Sequence, residues 1–171
     1  VSLHPPAGPA SAWAASARPG DRLVVTGPDR RVGWTGYGVH WHPGSARRVL
    51  LVADETAYPA ARNILSALPD GVVADVLVDA AAPGDDLLSP HVVAPHRVRR
   101  IDREDAGGLE RAVAAWASAT AGLPRDEVYV WLAGESGTVT SLRRLLTGRL
   151  DVPKDRVSFL GYWREGGPLI G

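Results

Sequence analysis

The sequence predicts an α/β domain built on a mostly parallel, Rossmann-like sheet with helices on both faces. Two observations lead to this fold class. Short runs of consecutive apolar residues recur from Arg48 onward, as strands buried on both faces require. Segments with helical periodicity separate these runs, and strands that alternate with helices at this spacing form parallel sheets.

The segment before Arg48 follows a different pattern. Residues 11–17 form an Ala-rich stretch that can make two helical turns, with Ser11 or a neighbouring backbone group as its cap. Residues 23–25 have the composition of a strand leading to Gly27-Pro28. Residues 29–47 are rich in Gly, Pro, His and Trp without a period, which predicts a loop or a linker between domains.

The regular part of the chain predicts alternating strands and helices. Strands are expected at residues 49–52, 72–78, 96–101, 128–132 and 157–160, and helices at 59–68, 109–121 and 139–146. Ligands of such sheets bind outside the carboxyl ends of the strands. The candidate binding segments are therefore 53–59, 79–82, 133–137 and 161–167.

Composition excludes several classes of function. The absence of cysteine excludes disulfides, thiolate nucleophiles, iron–sulfur clusters and Cys-based zinc sites. With 19 basic and 19 acidic side chains the net charge is zero, which argues against nucleic-acid binding by counterion release. There is neither a secretory leader nor an apolar run of about 20 residues. Only Lys154 of the 19 basic residues is a lysine and alanine is abundant, which suggests a GC-rich coding sequence. We therefore expect a bacterial, cytoplasmic protein that does not span a membrane.

The turn Asp54-Glu55-Thr56-Ala57 follows the first buried strand and leads into a helix. The N–H groups and dipole of a helix N-terminus can hold a pyrophosphate, with Thr56 as a hydroxyl donor and Ala57 allowing close approach. Asp54 and Glu55 would repel an anion, so they either cap the helix or bond a ribose or carboxamide. An ordinary acidic strand-to-helix turn is the alternative, because neither a Gly-x-Gly-x-x-Gly motif nor a P-loop is present.

Asp79 ends the second predicted strand. An acidic residue there can bond both hydroxyls of an adenosine ribose. In that role it would favour NADH, because the 2′-phosphate of NADPH would meet a carboxylate. The alternative is a solvated aspartate at a strand end.

The segment Gly134-Glu135-Ser136-Gly137 follows the strand at 128–132 and resembles a nucleophile elbow. Thr138 stands where that motif needs its closing glycine. All five histidines lie at or before residue 96, whereas an α/β-hydrolase places its histidine after the serine. The sequence therefore argues against a hydrolase.

Two other groups have alternative readings. His40 and His42 can lie on one side of a strand as metal ligands do, but no carboxylate follows at ligand spacing, so we expect surface residues and no metal site. Tyr162, Trp163 and Arg164 follow the last strand, where they either cover a flat ring and grip an anion or pack in the core beside a solvated arginine.

Taken in order, these segments resemble the siderophore-interacting protein family, flavoenzymes that reduce ferric siderophores. Seven pieces match over nearly the whole chain. They are Gly8-Pro9-Ala10-Ser11-x-Trp13-Ala14, Pro19-Gly20-Asp21, Gly27-Pro28, Asp54-Glu55-Thr56-Ala57-x-Pro59-Ala60, Tyr129-Val130-Trp131-x-Ala133-Gly134-Glu135, Leu142-Arg143-Arg144 and Gly161-Tyr162-Trp163-Arg164.

The resemblance implies a ferredoxin-reductase-like nicotinamide domain preceded by a short remnant of a flavin-binding β-barrel. Residues 1–28 would be the barrel remnant, 29–47 a linker and 48–171 the NAD(P)H-binding domain. It also implies a role for each matching segment. Ser11 would hold the flavin pyrophosphate, Thr56 and Ala57 the NAD(P)H phosphates, Gly134 and Glu135 the nicotinamide ribose, while Tyr162, Trp163 and Arg164 would reach toward the flavin and the substrate.

The implied activity is transfer of hydride from NAD(P)H to FAD and of electrons onward to a ferric siderophore, which releases iron. No side chain is required as an acid, base or nucleophile, so we predict no catalytic residue, and Arg164 would attract the anionic siderophore. The family's Arg-x-Tyr-Thr-type flavin motif is absent, so FAD would need the missing barrel. The alternative is a non-catalytic nucleotide-binding or interaction module that acts with a flavin-domain partner, or a degenerate structural domain.

Overall fold

The structure, a computed structural model, describes residues 9–25, 29, 31–32 and 40–166. The chain divides into two compact units, Val1–Val39 and His40–Gly171. The described part of the first unit contains one helix, α1 (Pro9–Ser16). This helix begins two residues before Ser11, which lies inside its first turn and not at its cap.

The strand predicted at residues 23–25 is wrong. Residues 21–25 carry no secondary structure, and the exposed fractions of Leu23, Val24 and Val25 are 61%, 90% and 78%. An apolar run becomes a strand only when a neighbour pairs with it, and no strand is present among the described residues of this unit. Gly27-Pro28 lies outside the described residues.

The second unit contains a five-stranded sheet in the order β3-β2-β1-β4-β5. All four strand pairs are parallel, so the predicted parallel α/β fold is confirmed. The strands are β1 (Arg48–Asp54), β2 (Val73–Ala80), β3 (Arg97–Asp102), β4 (Val128–Glu135) and β5 (Val157–Trp163).

Three helices connect these strands. They are α2 (Tyr58–Ser66), α3 (Gly108–Thr120) and α4 (Ser136–Arg144), and a π-helical turn, Leu145–Arg149, continues α4. Short 3₁₀ turns lie at Pro83–Asp85, Ser89–His91, Arg125–Glu127 and Lys154–Arg156. Helix α4 begins three residues earlier than predicted, because β4 continues to Glu135 and this residue caps the helix directly.

The core lies on both faces of the sheet. On one face α3 and α4 pack over the strands, and the largest buried cluster includes Leu50, Leu132, Val113, Trp116 and Leu142. Helix α2 packs on β1 outside this cluster and buries Ala61 and Ile64. Burial on both faces is the reason that β1 and β4 are continuous apolar runs.

Residues 40–47, the end of the predicted linker, pack against the amino ends of β4 and β5. The Trp41 and Tyr129 rings meet edge to face at 5.2 Å. The Tyr129 hydroxyl accepts a bond from the N–H of His42 at 3.2 Å, and the Ser158 hydroxyl donates to the His40 carbonyl at 2.6 Å. Arg156 donates to the Pro43 carbonyl at 2.9 Å. This part of the segment is therefore built into the sheet domain.

Within residues 9–25 and 40–166, no helix is both long and apolar enough to cross a bilayer.

Candidate functional site

The sheet order creates a topological switch point between β1 and β4. The chain moves from β1 to β2 and β3 on one side, and then returns to β4 and β5 on the other. Connections that diverge in this way leave a crevice outside the carboxyl ends of the strands. The crevice is bordered by the turn 54–57 and by residues 134–136, so the structure brings together two of the segments predicted from the sequence.

Asp54 lies at the carboxyl end of β1, beside the crevice, and is only 2% exposed. Its Oδ1 accepts from the Thr56 N–H at 2.9 Å and from the Thr56 hydroxyl at 2.5 Å. Its Oδ2 accepts from the indole N–H of Trp163 at 2.7 Å. The carboxylate therefore shapes the turn after β1 and connects it to the end of β5, instead of pointing into the crevice.

The donors predicted to hold phosphate are engaged within the same turn. Both Thr56 donors bond Asp54, and the Ala57 N–H donates to the Asp54 carbonyl at 3.0 Å. Pro59, near the start of α2, has no N–H to offer. A phosphate at this helix would have to compete for donors that already stabilise the turn.

Gly134, near the end of β4, packs against Asp54 of the turn after β1. A Cβ atom at this position would lie 2.6 Å from the Asp54 Oδ2, and the φ of Gly134 is +151°. Any larger residue would push against a carboxylate that is itself held by two neighbours. Glycine is thus required by the packing of the crevice floor.

Glu135 caps helix α4 by accepting from the Thr138 N–H at 2.7 Å. Burial opposes its ionisation, but the N–H groups of Gly137 and Thr138 outweigh that effect and hold the pKa of Glu135 below its ordinary value. The next residue, Ser136, donates its hydroxyl to the Trp163 carbonyl at 2.9 Å. Glu135 is therefore a carboxylate at neutral pH, positioned at the rim of the crevice.

Asp79 lies at the end of β2, but it does not stand alone. Arg103, which follows β3, donates to the Asp79 Oδ2 at 3.3 Å and to its carbonyl at 3.1 Å. The same guanidinium bonds Glu55 at 2.6 Å. Burial raises the pKa of Asp79 despite the neighbouring cation, and the two carboxylates raise the pKa of Arg103 against the effect of burial.

Arg103 was not predicted from the sequence. Its strand, β3, has a single buried residue, Ile101, so the segment that follows β3 was not among the candidate binding segments. The signal that could have identified it is positional, because a charged residue directly after any parallel strand lies at the binding edge.

The remaining predicted residues are spread more widely. Tyr162 and Trp163 are half-buried. Burial is the main cause that raises the pKa of Tyr162, and the Asp54 charge raises it further. Arg164 is exposed. Ser11 lies in the first unit. Within the described residues no group of three His, Cys, Asp or Glu side chains is arranged to hold a metal ion.

Comparison with known protein families gives two matches along the chain. The model described as "Siderophore-interacting protein" matches residues 46–166. The model described as "Siderophore-interacting FAD-binding domain" matches residues 1–32. The first match covers the whole five-stranded sheet, and the second covers the amino-terminal 32 residues.

Individual relatives extend further than this chain. It is 33% identical to the mycobactin import ATP-binding/permease protein IrtA of Mycolicibacterium smegmatis, over 97% of this chain and 18% of IrtA. It is 29% identical to the NADPH-dependent ferric-chelate reductase of Escherichia coli K12, over 91% of this chain and 56% of the reductase. The solved siderophore-interacting protein SipS of Aeromonas hydrophila gives a TM-score of 0.69 at 27% identity, over 95% and 64% of the two chains. The chain thus spans less than two thirds of each of these relatives.

Proposed function

The chain belongs to the siderophore-interacting protein family, and from that membership we propose that it is the NAD(P)H-binding portion of a ferric-siderophore reductase. Hydride would pass from NAD(P)H to FAD, and electrons would then pass singly to Fe(III) in the siderophore, whose hard oxygen donors hold Fe(II) less tightly. The remaining task of this chain is to bind and orient the nucleotide.

The observation that carries the proposal is the topological switch point between β1 and β4. Open parallel sheets bind nucleotides in the crevice outside the strand ends at such a point. At its outer end, Arg103 uses Oδ2 and the carbonyl of Asp79, which leaves the Asp79 Oδ1 to accept a ribose hydroxyl. An acceptor at the end of β2 fits an adenosine ribose, and it supports the preference for NADH over NADPH.

We assign the other residues as follows. Thr56 and Ala57 would lie beside the phosphates, which would compete for donors that already stabilise the turn. Gly134 and Glu135 would lie beside the nicotinamide ribose, where the ionised Glu135 carboxylate can accept a hydroxyl. Ser11 would hold the flavin pyrophosphate, and Tyr162 and Trp163 would reach toward the flavin. Arg164, which is exposed, would attract the anionic siderophore.

The proposed domain boundaries place a remnant of the flavin-binding barrel at residues 1–28, a linker at 29–47 and the NAD(P)H-binding domain at 48–171, with residues 40–47 of the linker packed on the sheet domain. The match of residues 1–32 to the FAD-binding domain supports the first boundary. The exposed side chains of residues 23–25 support it as well, because barrel strands would cover them. FAD would bind only when those strands are supplied, and dependence on NAD(P)H places the reaction in the cytoplasm.

Calorimetry of the 171-residue chain with NADH and then NADPH tests the proposal before any flavin is added. We expect saturable binding that is tighter for NADH and weaker in Asp79→Asn. The exposed Asp70 lies in the turn before β2, far along the strand from this edge, so Asp70→Asn is the matched control. Failure of both nucleotides to bind would refute the assignment for this chain.

A second experiment separates the enzyme from a non-catalytic module. A longer chain that includes the barrel should reduce an anionic ferric siderophore with NADH, and Arg164→Ala should raise its apparent KM. Nucleotide binding without any reduction would favour the module. An unchanged KM in the variant would remove Arg164 from the substrate site.

A further inference from the structure

Glu55, Asp79 and Arg103 form a clamp at the end of the crevice assigned to the adenosine ribose. The Arg103 guanidinium bonds Glu55 through two nitrogens, at 2.6 and 3.4 Å. It bonds Asp79 through Nε and Nη2. Each of its three nitrogens therefore has a partner within the clamp.

The balance of charge in the clamp is negative. Two carboxylates surround one guanidinium, and the side chains of Glu55 and Asp79 are only 20% and 12% exposed. Arg103 is the most accessible of the three at 31%. An incoming ligand would therefore meet the Arg103 guanidinium first, but the two carboxylates more than balance its positive charge.

Guanidinium groups are the preferred protein partners of phosphate, through paired N–H donors. In this clamp Nε and Nη1 donate to the carboxylates of Asp79 and Glu55, and Nη2 donates to the Glu55 carboxylate and the Asp79 carbonyl. A 2′-phosphate would have to displace Glu55 from Arg103 and would then lie beside two carboxylates. A ribose 2′-hydroxyl has no such penalty, because it can donate to the Asp79 Oδ1.

We propose that Glu55 and Asp79 withhold Arg103 from the 2′-phosphate of NADPH, so that the clamp as a whole selects NADH. This inference rests on the proposed nucleotide-binding function. It assigns a positioning role to Arg103, which holds Asp79 for the ribose, and it makes Glu55 a determinant of specificity through Arg103.

The ratio of the dissociation constants for NADPH and NADH tests the proposal by calorimetry on the full chain. Wild type should bind NADH more tightly. Glu55→Gln removes one negative charge and weakens the bonds that residue 55 makes to two guanidinium nitrogens, so the ratio should move toward NADPH by about tenfold, or about 1.4 kcal/mol. Asp79→Asn should move it in the same direction, and Arg103→Gln added to Glu55→Gln should abolish the gain.

Glu110→Gln is the control, because Glu110 is an exposed residue in the first turn of α3. Its ratio should equal that of wild type. A wild-type preference for NADPH, or an unchanged ratio in both Glu55→Gln and Asp79→Asn, would overturn the proposal.

A nucleotide-independent readout separates failure of the clamp from failure of the proposed function. If neither dinucleotide binds, the nucleotide-binding function fails, while the Arg103 Nε–H NMR signal still reports on the clamp. Titration with 2′-AMP should shift this signal saturably in Glu55→Gln and leave it in place in wild type. A shift in wild type, or none in the variant, contradicts the clamp.

Discussion

The hydrogen bond from the Trp163 indole to Asp54 connects two strand ends that are 109 residues apart in sequence, and it can be measured as a coupling energy. The test is the change Asp54→Asn, which keeps the shape of the side chain. If the Asn oxygen accepts the two Thr56 bonds, its NH₂ group faces the Trp163 N–H, and two donors meet. If the amide is flipped, the Thr56 N–H loses its acceptor. In either orientation one half-buried N–H group loses the Asp54 oxygen that accepts from it.

The expected size follows from burial and charge. Asp54 is 2% exposed, and a hydrogen bond to a charged group contributes about 1.5–3 kcal/mol, with a further cost of about 1–3 kcal/mol for a buried donor left unpaired. Because Thr56 and Trp163 are only half-buried, we expect the lower part of the summed range, so Asp54→Asn should lower the free energy of unfolding by about 2.5–4 kcal/mol. In a double-mutant cycle with Trp163→Phe, the coupling should be about 1.5–3 kcal/mol.

Urea unfolding followed by far-UV circular dichroism is the suitable assay, because tryptophan fluorescence changes with the Trp163 substitution itself. Trp41 provides the control cycle, since it packs on Tyr129 at the opposite end of the sheet. Its coupling to Asp54 should stay below about 0.5 kcal/mol. A coupling of that size for the Asp54–Trp163 pair would refute the structural role given to Asp54.

Two further predictions concern the rim of the crevice. Gly134→Ala should destabilise the chain by about 1–3 kcal/mol in urea unfolding, because its Cβ would lie 2.6 Å from the Asp54 Oδ2. The control is Gly148→Ala, where nothing lies within 4 Å of the added Cβ, and it should be neutral or slightly stabilising. Equal effects of the two substitutions would contradict this packing. Glu135→Gln should cost about 0.5–1 kcal/mol at pH 7. Because the folded-state pKa of Glu135 is lowered, the carboxylate stabilises the fold above the unfolded pKa of about 4.3, and the difference should vanish as the pH falls through the native pKa. A pH-independent difference would show that Glu135 stabilises α4 only as a neutral cap.

The parallel sheet could be predicted because its central strands are buried on both faces. The end of β4 could not, since Gly134 and Glu135 interrupt the apolar run while still pairing with Gly161 and Trp163 of β5. Leu23–Val25 shows the opposite error, because this apolar run was predicted as a strand. Within the described residues of its unit no neighbouring strand pairs with it, and its side chains are exposed. Apolar runs report the capacity for burial, whereas a strand also needs a neighbour.

The site was predictable at the level of segments and less so at the level of roles. The switch-point turns after β1 and β4 were expected to carry the ligand, and the structure does bring them together. Their contacts depend on distant residues, since Trp163 bonds Asp54 and Arg103 bonds Glu55. Local sequence could not show that these carboxylates already have partners.

The partners of these carboxylates also answer an electrostatic difficulty. Asp54, Glu55 and Asp79 lie at one sheet edge, and three free carboxylates would repel the pyrophosphate of a dinucleotide. Asp54 is instead buried among N–H and O–H donors, and Glu55 and Asp79 share the Arg103 charge. The charge that remains lies at the ribose end, where it can discriminate between a hydroxyl and a phosphate. Because the same bonds shape the turn and set that charge, substitutions that alter nucleotide preference here should also alter stability.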